Sequence, residues 1–546
     1  MGKEKGKGKE MKHCMNIMNK TIMKILFLLL CVLISATINA KTIHNIENPS
    51  YVGINDGSMK IVKVKTTEAG TTLTFSYPGD GFASFLPSSY LVDEQGRRYN
   101  IISQKGFVAD SLGRLTPKKK GNYKLIFSPL PKETRIFDFI EDFYSPNGTS
   151  YYGIRANGTP FATDDEQASS AKSESFPLES FVKDSVYVTG RIISDNPDSW
   201  KNRSIRKWET YSFVNTTQIP EVKIDSNGYF RMPLCVYGPT WANLLTYKGK
   251  GHGSFFIPVM LYPGDSLDIE IDCSDENNKK ISYHSKKQKS FSNLMQHAPV
   301  FFCNYYCSIN DTTYYNKLTK EAVENRFKNY DDLSLYIAGK YGLNDLETEM
   351  LRSHMSVMVA SDITKLASHY LFKKYPRQPN SNYYDWEWRK SESPYFYCLS
   401  KVRAESNAFL TTPEWHNLLS FNRLLEYPKF DNQANMMFWR NINESPNAEH
   451  VVPYFNSLLD VVREYRQKQG GNDSVFEQAF MLCCARRMPL FIPHPTDCKK
   501  LEDVIPVAYK QFTNFRSMFY HPSILRLAST VVEEKEQFIY RTEYNK

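Results

Sequence analysis

Near Ser290 the spacing of apolar residues changes from every second position to every third or fourth. That change divides the chain into a strand-forming front and a helix-forming back. The last strand signal before it is Leu261–Asp272, LYPGDSLDIEID. Pro263 and Gly264 supply a turn, after which Leu267, Ile269 and Ile271 alternate with Ser266, Asp268, Glu270 and Asp272. One face is apolar and the other acidic, which predicts a half-buried antiparallel strand. Beyond Ser290, Asn344 followed by Glu347 has the form of a capping box. Leu346, Met350, His354, Met358, Asp362, Leu366 and Tyr370 then recur every four residues, the period of a helix.

The front contains two strand-rich stretches. In residues 41–159, Leu73, Phe75 and Tyr77 alternate with polar neighbours, Tyr90–Val92 runs into an Asp-Glu-Gln-Gly turn, and Tyr123, Leu125 and Phe127 alternate again before Pro129 and Pro131. Short strands at this spacing predict a β-sandwich. Residues 160–184, poor in apolar side chains, read as a linker. Residues 185–288 form a second β-module. Val186, Val188, Gly190 and Ile192 share one face of its first strand, and Asp225-Ser226-Asn227-Gly228 turns one strand into the next. Hairpins with no helical period between them argue against a doubly wound nucleotide fold there. Residues 289–546 read as an α-helical domain, with further helix starts at Thr412-Pro413, Ser474 and Pro522. The expected fold class is multidomain α+β: two antiparallel β-sandwich modules followed by an α-helical domain. A length of 546 residues is ample for three cores.

Ile25–Ile34 is a short apolar run preceded by Lys20 and Lys24 and followed by small residues up to Ala40, the pattern of a secretory signal peptide. Residues 1–40 are read as that leader with an overextended start, Met23 being the expected initiator. No later segment is apolar enough to span a bilayer, so no transmembrane helix is expected in the mature chain. The formal charge is +9, but residues 1–40, with seven Lys against Glu4 and Glu10, carry +5 of it. The remaining +4 argues against a nucleic-acid partner, which needs a concentrated basic face. Leu30 rather than a small residue precedes Cys31, so lipid attachment is not expected. The leader predicts export from the cytoplasm.

No residue set specifies a reaction. Cys303 and Cys307 share a helix face and Cys483-Cys484 sits inside a helical run; both pairs read as packing, and neither is a C-x-x-C. His494 and Cys498 are a single pair where a metal site needs a cluster. His354 and His369 read as polar tips at the flank of the long helix. Phosphate-loop, dinucleotide, nucleophile-elbow and zinc-protease motifs are absent from the sequence. Asp138, Glu141 and Asp142, within IFDFIEDF, read as an alternating strand. No catalytic, cofactor-binding or metal-binding residue is assigned, and no cofactor is expected. The aromatic cluster Tyr383, Tyr384, Trp386 and Trp388 is a candidate ligand contact, either stacking on a sugar ring or anchoring a loop.

Three segments carry a family resemblance. The first is Pro129-Leu130-Pro131 with Ile136–Asp142 and Tyr152-Gly153-Ile154. The second joins Thr189-Gly190-Arg191-Ile192, Asp225–Phe230 and Leu261–Asp272, and the third is the helical region ending near His521-Pro522. Together they resemble the N-terminal accessory region of exported TlpA-like thiol–disulfide oxidoreductases. In that family a W-C-x-x-C site follows the helical region. None of the seven Trp here precedes a Cys, so the resemblance supplies no catalytic residue. It implies an exported non-catalytic binding or scaffold protein whose partner is a periplasmic thiol-redox protein or an envelope glycan. The alternatives are a remnant or split thiol–disulfide oxidoreductase whose thioredoxin domain is missing, and an envelope glycan-binding protein.

Overall fold

The computed structural model describes residues 42–412, except 55–58, 80–82, 112, 142–147, 157–175, 196–199, 208–220, 248–254, 275–278, 286–287, 298–318, 375–397, 399 and 405. The side chains of residue 362 and of residues 364–374 are likewise outside the description. The described residues divide into two compact units. Residues 42–51, 59–141 and 152–156 belong to the first, and residues 52–54, 148–151 and 176–412 to the second.

The strands up to residue 155 are β1 (Thr42–Glu47), β2 (Gly53–Ile54), β3 (Lys60–Thr67), β4 (Gly70–Tyr77), β5 (Tyr90–Asp93), β6 (Arg98–Lys105), β7 (Val108–Ala109), β8 (Leu115–Thr116), β9 (Gly121–Phe127), β10 (Ile136–Ile140) and β11 (Ser150–Arg155). The sheet of the first unit runs β1-β3-β4-β9-β6-β5-β10-β11, and its neighbouring pairs from β1 to β10 are antiparallel. Leu73, Phe75 and Tyr77 face inward from β4, and Tyr123, Leu125 and Phe127 from β9, as their alternation requires. The sheet curls, because Phe75 of β4 and Phe139 of β10 meet with ring centroids 5.4 Å apart although β9, β6 and β5 lie between those strands. Phe85 and Phe127 also pack on Phe139, at 5.3 and 6.0 Å. Edge-on aromatic contacts of this kind add to what burial alone contributes.

The second unit holds β12 (Asp184–Ile193), β13 (Ser204–Lys207), β14 (Glu221–Lys223), β15 (Tyr229–Val236), β16 (Thr240–Tyr247), β17 (Phe256–Leu261), β18 (Ser266–Asp272) and β19 (Lys280–Tyr283). Helices α1 (Ser292–His297), α2 (Lys320–Tyr341) and α3 (Asp345–Lys374) follow. One four-stranded sheet has the order β15-β12-β18-β19 and the other β14-β13-β16-β17. Both contribute to one core: Val186, Val188, Met232, Leu267, Ile269 and Ile271 from the first, and Ile205, Ala242, Leu244, Ile257, Val259 and Leu261 from the second. β16 and β17 are buried on both faces, the second face carrying Trp241, which meets His354 of α3 at 5.3 Å. That double burial matches the sequence of β17, FIPVML, which is apolar throughout instead of alternating. No helix among the described residues is long and apolar enough to cross a membrane.

Two expectations are corrected here. The modules are not wholly antiparallel, because β18, the strand of Leu261–Asp272, pairs with β12 in parallel and only with β19 antiparallel. The chain passes through the other sheet between β12 and β18, a crossover rather than a hairpin, which is what a parallel pair demands. His354 is no flank residue. It is fully buried, because a sheet face covers that side of α3.

Candidate functional site

Cys235, Cys273 and Cys398 are free thiols; Cys235 is exposed and the other two are buried. Burial pushes the Cys398 thiol well above its ordinary value, and its Sγ donates to the Ala360 carbonyl, so it stays protonated and unreactive. The pairs Cys303/Cys307 and Cys483/Cys484, the His494/Cys498 pair and the helix starts at Pro413, Ser474 and Pro522 lie outside the described residues. Among the described residues no group of three or more His, Cys, Asp or Glu gathers to hold a metal ion.

The buried carboxylates serve the fold. β10 is not the alternating strand its sequence implied: Asp138 and Glu141 are both buried, each compensated by hydrogen bonds. Asp138 accepts from the Gly153 N–H at 2.8 Å. Glu141 accepts from the Leu86 N–H at 3.1 Å and pairs with Arg114 at 3.1 Å. Asp142 lies outside the described residues. Asp93 accepts from the N–H groups of Gln95 and Arg97, from Arg97 Nε at 2.7 Å and from the Tyr99 hydroxyl at 2.7 Å. Although burial opposes its charge, these donors hold the Asp93 carboxyl below the usual range, and burial with the Asp93 contact pushes Tyr99 up to about 12. This is a locked hairpin turn ending at Gly96. Glu347 completes the predicted capping box: its backbone N–H donates to Asn344 Oδ1 at 2.9 Å, and its own carboxylate accepts from the Asn344 N–H at 3.0 Å. It also accepts from the Leu294 N–H at 2.9 Å, tying α1 to α3.

The outer face of the β15-β12-β18-β19 sheet differs in kind. Strand alternation turns Tyr187, Thr189 and Arg191 of β12 and Tyr229, Arg231 and Pro233 of β15 away from the core. Tyr187 is 42% exposed and Tyr229 47%, among the most exposed large hydrophobic side chains described. The register sets Arg191 opposite Tyr229 and Thr189 opposite Arg231. The Arg191 guanidinium stacks over the Tyr229 ring at 5.0 Å, and that of Arg231 over the Tyr187 ring at 5.1 Å. Each cation–π pair joins the two strands and holds two long side chains upright. Next to them β18 exposes Asp268 and Glu270, with Asp268 accepting from the Thr189 hydroxyl at 3.1 Å. Arg191 and Glu270 are register partners across the parallel pair, yet the guanidinium turns to Tyr229.

Two local devices set this face. Asp225 Oδ1 accepts from the N–H groups of Asn227 and Tyr229 at 2.8 and 2.9 Å, and Gly228 adopts φ +83°, which fixes where β15 begins. Behind the face, Gly190 lets the Phe230 ring and the Ile269 carbonyl close on β12: a Cβ there would sit 2.4 Å from Phe230 Cζ and 2.9 Å from the Ile269 oxygen.

The predicted ligand contacts Tyr383, Tyr384, Trp386 and Trp388 lie outside the described residues. Tyr187, Arg191, Tyr229 and Arg231 were not singled out in the sequence as ligand contacts. Their signal was the polar complement of the apolar alternation in VYVTGRI and YFRM. The chain matches no family model, no curated protein and no solved structure.

Proposed function

We propose that this chain is an exported, non-catalytic binding or scaffold protein. In this reading two β-sandwich modules and a helical domain resemble the accessory half of a TlpA-like thiol–disulfide oxidoreductase, and the outer face of the β15-β12-β18-β19 sheet is its recognition surface. The observation that carries the reading is the pair of exposed tyrosines, each held by an arginine on a rigid sheet. Tyrosine and arginine are the residues that supply binding energy at interfaces, and side chains already immobilised lose less entropy when a partner arrives. The partner class is a thiol-redox protein or a glycan of the envelope.

The test uses the purified full chain immobilised against an envelope extract of the producing bacterium. Capture falls at least tenfold in the Tyr187→Ala, Tyr229→Ala double variant while the thermal midpoint holds; equal capture by the variant removes the face from the account. In parallel, insulin disulfides incubated with the chain and dithiothreitol are reduced at the rate seen without it. An accelerated rate that alkylation of the chain's thiols abolishes establishes the oxidoreductase alternative instead.

A further inference from the structure

We infer that the occupant of this face is a second copy of the same chain, docked about a twofold axis that runs parallel to the strands between β12 and β18. This rests on reading the face as a recognition surface and departs from the proposed function in the occupant alone, a second copy taking the place of the envelope thiol-redox protein or glycan. A twofold interface must be self-complementary, each patch carrying both halves of every contact. The face meets that requirement along its centre, where β12 presents Arg191 and β18 presents Asp268 and Glu270; β15 and β19 on either side present Arg231 and Lys280.

Rotation about the proposed axis lays β12 of each copy over β18 of the other and preserves the level along the strand. Arg191 and Glu270 are already register partners, so each Arg191 arrives over the other copy's Glu270. The two pairs are related by the symmetry and form together. Within one copy the Arg191 guanidinium is directed to Tyr229, so it meets the incoming carboxylate as a cation already oriented by a ring. Tyr187 and Tyr229 supply the apolar contact on either side.

Three strands taken at about seven residues and β19 at four, about 4.8 Å apart and about 3.3 Å per residue, cover a plane of about 400 Å² per copy. The accessible area of a corrugated face is larger, which places the contact at the lower end of specific interfaces. The dimer is accordingly weak, with dissociation on the order of micromolar. Salt weakens it further, because the arginines and carboxylates sit near solvent.

The experiment is sedimentation velocity on the full chain from about 1 to about 200 µM, a range that brackets a weak interface. The wild-type protein shifts from one to two monomer masses across the series. Two double variants follow: Arg191→Glu with Arg231→Glu, and Asp268→Lys with Glu270→Lys. Each alone stays monomeric at every concentration, with like charges now facing across the axis. An equimolar mixture regains the dimer, because each variant's altered half meets the other's. Circular dichroism melts confirm that both variants fold.

A wild-type chain that remains monomeric throughout overturns the inference. So does a dimer that neither variant weakens, or a loss that mixing does not restore. A monomeric chain whose capture of envelope material still depends on Tyr187 and Tyr229 removes the second copy while leaving the recognition surface in place.

Discussion

Gly190→Ala tests whether the packing behind the outer face is as close as the structure has it. The added Cβ lies 2.4 and 2.6 Å from Phe230 Cζ and Cε1, and 2.9 Å from the Ile269 carbonyl oxygen. The ring cannot swing away freely, because Phe230 is 5% exposed within the shared core. The carbonyl belongs to β18, which pairs with β12. Overpacking a tight core costs about 1–3 kcal/mol, and an obstacle that includes backbone places this case near about 3. Denaturant unfolding followed by Trp fluorescence measures it, since Trp200 belongs to the same core. Phe230→Leu alone costs about 1 kcal/mol as a core truncation. Combined with Gly190→Ala, it recovers at least about 1 kcal/mol of the loss, because the two side chains compete for one space. If Gly190→Ala leaves the midpoint unchanged, or the two costs simply add, the packing argument is wrong.

Other substitutions probe the remaining joints. Arg352 makes a bidentate pair with Asp331, both bonds 2.6 Å, and is 7% exposed where Asp331 is a third exposed; Arg352→Ala destabilises the α2–α3 contact by about 2 kcal/mol in chemical denaturation. Tyr99→Phe removes one donor from the buried Asp93 carboxylate and costs about 1–2 kcal/mol; it also deletes the phenol that ionises near 12 from a spectrophotometric titration. His297 stacks on Tyr341 at 4.2 Å, and burial, helped by Lys340, lowers its pKa from 6.5 to about 4. The unfolded chain therefore binds the proton first, so stability present above pH 6.5 is lost as the pH falls toward about 4. Thermal melts across that window show the decline, and His297→Phe flattens it.

What the sequence disclosed depended on how local the determining interaction was. The Asn344–Glu347 capping box spans four residues and was read directly. The Asp225–Gly228 turn and the inward sides of β4 and β9 were legible for the same reason. The direction of β18 was not, because alternation places side chains on two faces whether the neighbouring strand runs parallel or antiparallel. His354 fell on the stripe of its helix, but its burial depends on Trp241, more than a hundred residues earlier in the chain. The outer face was visible only as what the apolar pattern left over. Pairing Arg191 with Tyr229 requires the β12–β15 register, which nothing local to either strand specifies. Asp138 and Glu141 misled because a strand buried on both sides can carry carboxylates once Gly153, Leu86 and Arg114 satisfy them.

The claim that the β12–β15 face recognises a partner is tested most directly by placing a photoreactive phenylalanine analogue at Tyr187 and irradiating the producing cells. The expected result is a discrete cross-linked adduct that survives denaturing electrophoresis and is lost when Arg191 and Arg231 are both changed to Glu. No adduct from Tyr187, where the same analogue at Val108 in the first unit does give one, would contradict it.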